Sequence, residues 1–143
     1  MKASNLFEIL RKSYLTTKPD KESLERYDGI KAEFMGMEIL EQNFFSQVRN
    51  SVYEEEEITF ELMFFNEGFI HDIGISNHRA EIITLPTQKI TRVCLTCIKG
   101  NEIGLTINAL GYDGHTPDLY YKTEVDKFKE LSLIRANLLS LIK

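Results

Sequence analysis

Three stretches with different spacing of apolar residues divide the chain. At the start, Leu6, Phe7, Ile9, Leu10 and Tyr14 recur at helical spacing, and the Ser4 hydroxyl is placed to cap a first helix. Pro19 disfavours helical geometry at Lys18, and Asp20 can cap a second helix from Lys21 to about Phe34. Its apolar stripe is Leu24, Tyr27, Ile30 and Phe34. After Gly36, the spacing of Leu40, Phe44 and Val48 predicts a third helix from Met37 to about Asn50.

From Ile58 the period changes to two. Ile58, Phe60, Leu62 and Phe64 face one way, and Thr59, Glu61, Met63 and Phe65 the other. Asn66-Glu67-Gly68 is a hairpin loop in which Gly68 is free to take a positive φ. Strands follow over Phe69–Ile75 and Arg79–Leu85, and Pro86 ends the second because it cannot donate to a ladder. Lys89–Ile98 carries Val93, Leu95 and Cys97 on one side, and Gly100-Asn101 suits a two-residue primed turn. Ile103, Leu105, Ile107 and Ala109 then alternate with smaller or polar residues, and Leu119–Tyr121 is a short last strand. Thr123 is placed to cap a final helix with Val125, Phe128, Leu131, Ile134, Leu138 and Leu141 as its stripe. Helices, then antiparallel strands, then one helix make an α+β pattern rather than alternating βαβ units.

Composition narrows the function classes. A chain of 143 residues can bury a core of its own. The formal net charge of −5 argues against a general nucleic-acid binder and against adhesion to anionic membranes. Glu8 and Arg11 interrupt any signal-like apolar run, and no window has the length of a membrane span, so a cytoplasmic setting with reduced thiols is expected.

The order of elements, together with several strand-end residues, resembles the bacterial pleckstrin-homology-like (PH-like) domains. The residues that carry the likeness are the acidic strand entry Glu57-Ile58, the turn Ser76-Asn77-His78-Arg79, and Leu85-Pro86-Thr87-Gln88-Lys89-Ile90-Thr91-Arg92-Val93. It covers about Ser51 to Lys143. It implies an antiparallel PH-like barrel or bent sheet closed by the C-terminal helix; residues 1–50 lie outside the likeness and are read, from their helical spacing, as a helical region packed on or beside the sheet. The stretch between Arg79 and Leu85 is shorter than the family pattern. In many such folds a basic pocket takes phosphorylated head groups, and the residues here in that position are His78, Arg79, Lys89 and Arg92. The loop Asn66–Gly68 adds no base, so Arg79 and Arg92 are read first as partners of neighbouring carboxylates.

Other constellations point to no chemistry of their own. Cys94-Leu95-Thr96-Cys97 falls inside a strand, where residues three apart face opposite sides, so it reads as two separate packed thiols rather than a redox or zinc pair. His71, Asp72, His78, Asp113 and His115 have no ligand spacing, and no phosphate loop, dinucleotide fingerprint or nucleophile motif is present. No catalytic residue, metal or cofactor is expected. The expected role is a non-enzymatic binding or scaffold module that engages a protein, in preference to a phospholipid, through the sheet edge or the groove beside the last helix. Two rivals are a ligand-binding or enzymatic nuclear-transport-factor-2-like cone using His71 and Asp72, and an acidic secretion-chaperone-like dimer. The sequence leaves the oligomeric state open.

Overall fold

The computed structural model describes residues 1–39, 42–51, 57–76, 78–110 and 118–142. Leu40, Tyr53, Glu54–Glu56, Asn77, Asp113 and His115 lie outside the described residues. The order is α1 (Ala3–Leu15), α2 (Lys21–Glu33), β1 (Phe44–Ser51), β2 (Glu57–Phe65), β3 (Phe69–Ile75), β4 (Ala80–Pro86), β5 (Ile90–Ile98), β6 (Glu102–Ala109), β7 (Leu119–Glu124) and α3 (Phe128–Leu141). Single 3-10 turns join β4 to β5 and β7 to α3. The strands form two antiparallel sheets, one of four strands in the order β1-β2-β3-β4 and one of three in the order β5-β6-β7. No ladder among the described residues joins the sheets into a closed barrel. At one seam a side chain bridges them instead: Gln47 Nε2 on β1 donates to the Lys122 carbonyl on β7 at 3.1 Å.

β2 is the middle layer. Its even-numbered residues Phe60, Leu62 and Phe64 pack with Ile73 and Ile75 against Leu6, Phe7, Leu10 and Tyr14 of α1 and Tyr27 and Ile30 of α2. Its odd-numbered Met63 and Phe65 join Phe45, Ile70 and Leu85 in a second core with Val93, Ile103, Leu105, Ile107, Leu119, Tyr121 and, from α3, Leu131, Ile134 and Leu138. Strict alternation therefore gives two apolar faces, because helices cover one side of the sheet and the second sheet the other. In β5 a register shift between Ile90 and Arg92 lets Ile90 and Val93 both point into this core although they are three apart.

Several local readings are corrected. The third helix is absent; Phe44–Ser51 is β1, paired along its length with β2. A spacing of four satisfies a strand as well as a helix, so Phe44 and Val48 share one face of a strand. The α1 cap position is Lys2 with no side-chain cap, not Ser4. Residues 1–3 instead pair with 37–39: the Ala3 amide donates to the Met37 carbonyl and the Ile39 amide to the Met1 carbonyl, each at 2.7 Å. Asp20 does cap α2, accepting from the Ser23 amide at 2.7 Å. Gly68 does not take a positive φ; the Asn66 side chain holds that loop by accepting from the Gly68 and Phe69 amides. Gly100 and Asn101 do, at 90° and 65°, but they sit in a three-residue loop between the paired Ile98 and Glu102. Thr123 lies within β7, and α3 starts at Phe128, leaving Val125 and Phe128 exposed.

A polar contact is buried between the sheets. The Tyr121 hydroxyl donates to Asp72 Oδ1 at 2.8 Å, and burial, with the Asp72 charge beside it, pushes the phenol well above its ordinary range. Tyr121→Phe removes the donor while leaving a half-buried carboxylate in place. A loss of about 1–3 kcal/mol in urea unfolding is expected. A variant as stable as the wild type would show that the contact contributes nothing net.

Candidate groove beside β5 and the last helix

Among the described residues β5 is an edge strand, with β6 on one side only. An edge strand leaves part of its backbone N–H and C=O groups without a ladder partner. α3 runs alongside, held by Leu131, Ile134 and Leu138 in the core and by the Asn137 side chain, which donates to Asn43 Oδ1 at 3.1 Å. Between helix and strand lies a cavity of 590 Å³, lined by Arg92, Val93, Cys94, Leu95 and Cys97 from β5 and Phe128, Ser132 and Arg135 from α3. Its wall is mixed: Phe128 and Leu95 supply apolar surface, and two guanidiniums supply charge.

The charges gather at one thiol. Arg92 Nη2 donates to Cys94 Sγ at 3.6 Å, and the Thr96 hydroxyl lies 3.5 Å from the same sulfur. The hydrogen bond with Thr96 lowers the thiol pKa below its ordinary value, and the Arg92 guanidinium and the Arg135 charge act in the same direction. Among the described residues, neither Arg92 nor Arg135 has a carboxylate within ion-pair distance.

The four basic residues singled out from the sequence do not converge. His78 and Arg79 are exposed at the β3–β4 turn, where the Ser76 hydroxyl accepts from both their amides. Lys89 and Arg92 lie beyond the other end of β4, whose seven residues place the groups about 20 Å apart. Arg79, like Arg92, has no ion-pair partner among the described residues, so the expected sheet carboxylates are not there. Of the four, only Arg92 lines the cavity.

The cysteines are corrected too. They are not packed in the core: Cys94 is half-buried, Cys97 is exposed, and both line the groove. Among the described residues no group of His, Cys, Asp and Glu could hold a metal ion. His71 and Asp72 face opposite sides of β3, His71 among Phe34, Phe64 and Phe69 in the helix layer and Asp72 toward Tyr121. They do not form one site.

Sequence reasoning missed Phe128, Ser132 and Arg135 as lining residues. Their spacing of four and three marks a second stripe on α3 beside the buried one; Phe128 was assigned to the core stripe, while the polar Ser132 and Arg135 carry no core signal.

The chain matches no protein-family model and shows significant similarity to no curated protein and to no solved structure. No helix among the described residues is long and apolar enough to cross a membrane.

Proposed function

We propose that this chain is a non-enzymatic binding module on a PH-like scaffold that takes up an extended segment of a partner protein along the edge of β5, beside α3. The observation that carries the reading is the coincidence of a strand edge with no ladder partner among the described residues and a 590 Å³ cavity whose walls come from that strand and the adjoining helix. The edge offers main-chain hydrogen bonds to any extended peptide, and the cavity offers a pocket for its side chains. The order of four strands, three strands and a C-terminal helix supports the scaffold assignment. The space between the sheets is occupied by large side chains such as Phe45, Met63, Phe65 and Tyr121, which favours a surface site over a cone with a deep pocket. The reading places the protein in the cytoplasm, in keeping with two unpaired thiols at the groove.

The test is a selection from random peptides about a dozen residues long, long enough to pair with one strand. Selected peptides should protect β5 amides from hydrogen exchange. Phe128→Ala should weaken them about tenfold, the usual loss at an aromatic anchor, without lowering the midpoint of thermal unfolding. Failure to select any peptide, or protection that maps away from β5 and α3, overturns the reading.

A further inference from the structure

Resting on that reading, we infer that the segment bound at β5 is acidic, with a carboxylate side chain seated between the guanidiniums of Arg92 and Arg135. The chain as a whole carries a formal charge of −5, yet the side chains lining this groove include two arginines and no Asp or Glu. Arg92 is exposed, and its one hydrogen bond to a described side chain goes to the Cys94 thiol. Several cations elsewhere are matched, Arg11 with Asp28, Arg26 with Glu22, Lys31 with Glu8, and Lys122 with Glu102. The exposed Arg79 is not matched among the described residues, and it does not line this cavity beside a second cation. Two guanidiniums facing one cavity without a carboxylate partner are a charge complement for an anion arriving from outside. Charge also sets the orientation. The strand edge binds any backbone alike, so a carboxylate held at the Arg92 end of β5 fixes the register of the bound segment. Phe128 and Leu95 then receive an apolar side chain farther along.

Peptides selected by the wild type should be enriched in Asp or Glu at one position. Arg92→Gln and Arg135→Gln should each weaken such a peptide by roughly 10-fold or more, as for loss of a charge-assisted hydrogen bond, with β5 protection persisting at saturating peptide. Raising the salt concentration should weaken wild-type binding and leave the glutamine variants less affected. Selection repeated with a folded Arg92→Glu/Arg135→Glu double variant should return peptides rich in Lys or Arg. Peptides that protect β5 but carry no acidic preference, and that bind the glutamine variants as well as the wild type, overturn this inference and leave the strand-edge reading standing. Failure of wild-type peptides to protect β5 at all overturns both. Should the double variant fail to fold, the two glutamine variants decide the question, because Arg92 is exposed and Arg135 half-buried, neither is in an ion pair among the described residues, and glutamine keeps a polar side chain at each.

Discussion

Phe7→Ala should destabilise the protein by about 3–5 kcal/mol, the usual cost of emptying a fully buried phenylalanine site. Against a typical total of about 5–15 kcal/mol, that brings the chain close to unfolding. Phe7 is the hub of the aromatic cluster that joins the helices to the sheet. Its ring is edge-on to Tyr27 at 5.7 Å and to Phe64 at 6.1 Å, and stacked on Phe34 at 6.0 Å. The buried Tyr27 hydroxyl donates to the Phe7 carbonyl at 2.8 Å, so the backbone there is tied as well. The variant tests more than local packing. Phe60, Leu62 and Phe64 alternate with Met63 and Phe65 on one strand, so loss of the helix layer uncovers the strand that also supports the second core. Urea unfolding followed by far-ultraviolet circular dichroism and by hydrogen exchange of β6 amides should give one shared midpoint, lower than in the wild type. Loss of helical signal while β6 stays protected would show that α1 and α2 are an independently melting unit.

The second large effect depends on pH. His71 lies buried among Phe34, Phe64 and Phe69; its Nδ1 is 2.9 Å from the Thr84 hydroxyl, and its Nε2 has no hydrogen-bond partner among the described residues. Burial pushes its pKa down to about 4, against 6.5 for the free side chain. Above pH 6.5 the imidazole is neutral in both folded and unfolded chains and contributes no slope. Between pH 6.5 and about 4 the unfolded chain takes up a proton that the folded chain refuses, so stability falls as the medium is acidified. The loss approaches about 1.4 kcal/mol per pH unit and reaches about 2 kcal/mol by pH 5. His71→Leu keeps the apolar contacts and removes the titration. The difference in stability between variant and wild type should therefore grow by about 2 kcal/mol in the variant's favour between pH 7 and pH 5. Parallel stability profiles for the two proteins over that range would refute the assignment.

Where one period of apolar residues dominated, the elements were legible in advance. Ile103, Leu105 and Ile107 are all buried from β6, as their alternation requires. α3 shows Leu131, Ile134 and Leu138 inward at their helical spacing. The failures have physical causes. The residues of β1 repeat every four, a multiple of both periods to within the tolerance of a helix face, and only pairing with β2 settles the choice. The end of β7 was misjudged because Thr123 looks like a cap whether or not a helix starts there, and the ladder to β6 carries the strand on to Glu124. The groove was half visible. Arg92 stood out by charge, but its relation to Arg135 is created by folding, which sets α3 beside β5 although more than forty residues separate the two arginines. His78 and Arg79 drew attention by their place in a turn, yet distance along β4 excludes them.

The burial of β2 on both faces also has a consequence for synthesis on the ribosome. Phe60-Glu61-Leu62-Met63-Phe64-Phe65 is a run in which every residue is buried, and as free chain it has the apolar, strand-forming character of an aggregation nucleus, relieved by one charge at Glu61. α1 and α2 leave the ribosome before this run, so a cover for Phe60, Leu62 and Phe64 is already waiting. The cover for Met63 and Phe65 comes from β5, β6, β7 and α3, all of which follow β2 in the chain. A nascent chain stalled before Leu131 thus exposes one apolar face of a half-built sheet, which stays open to aggregation until α3 adds Leu131, Ile134 and Leu138 to its cover.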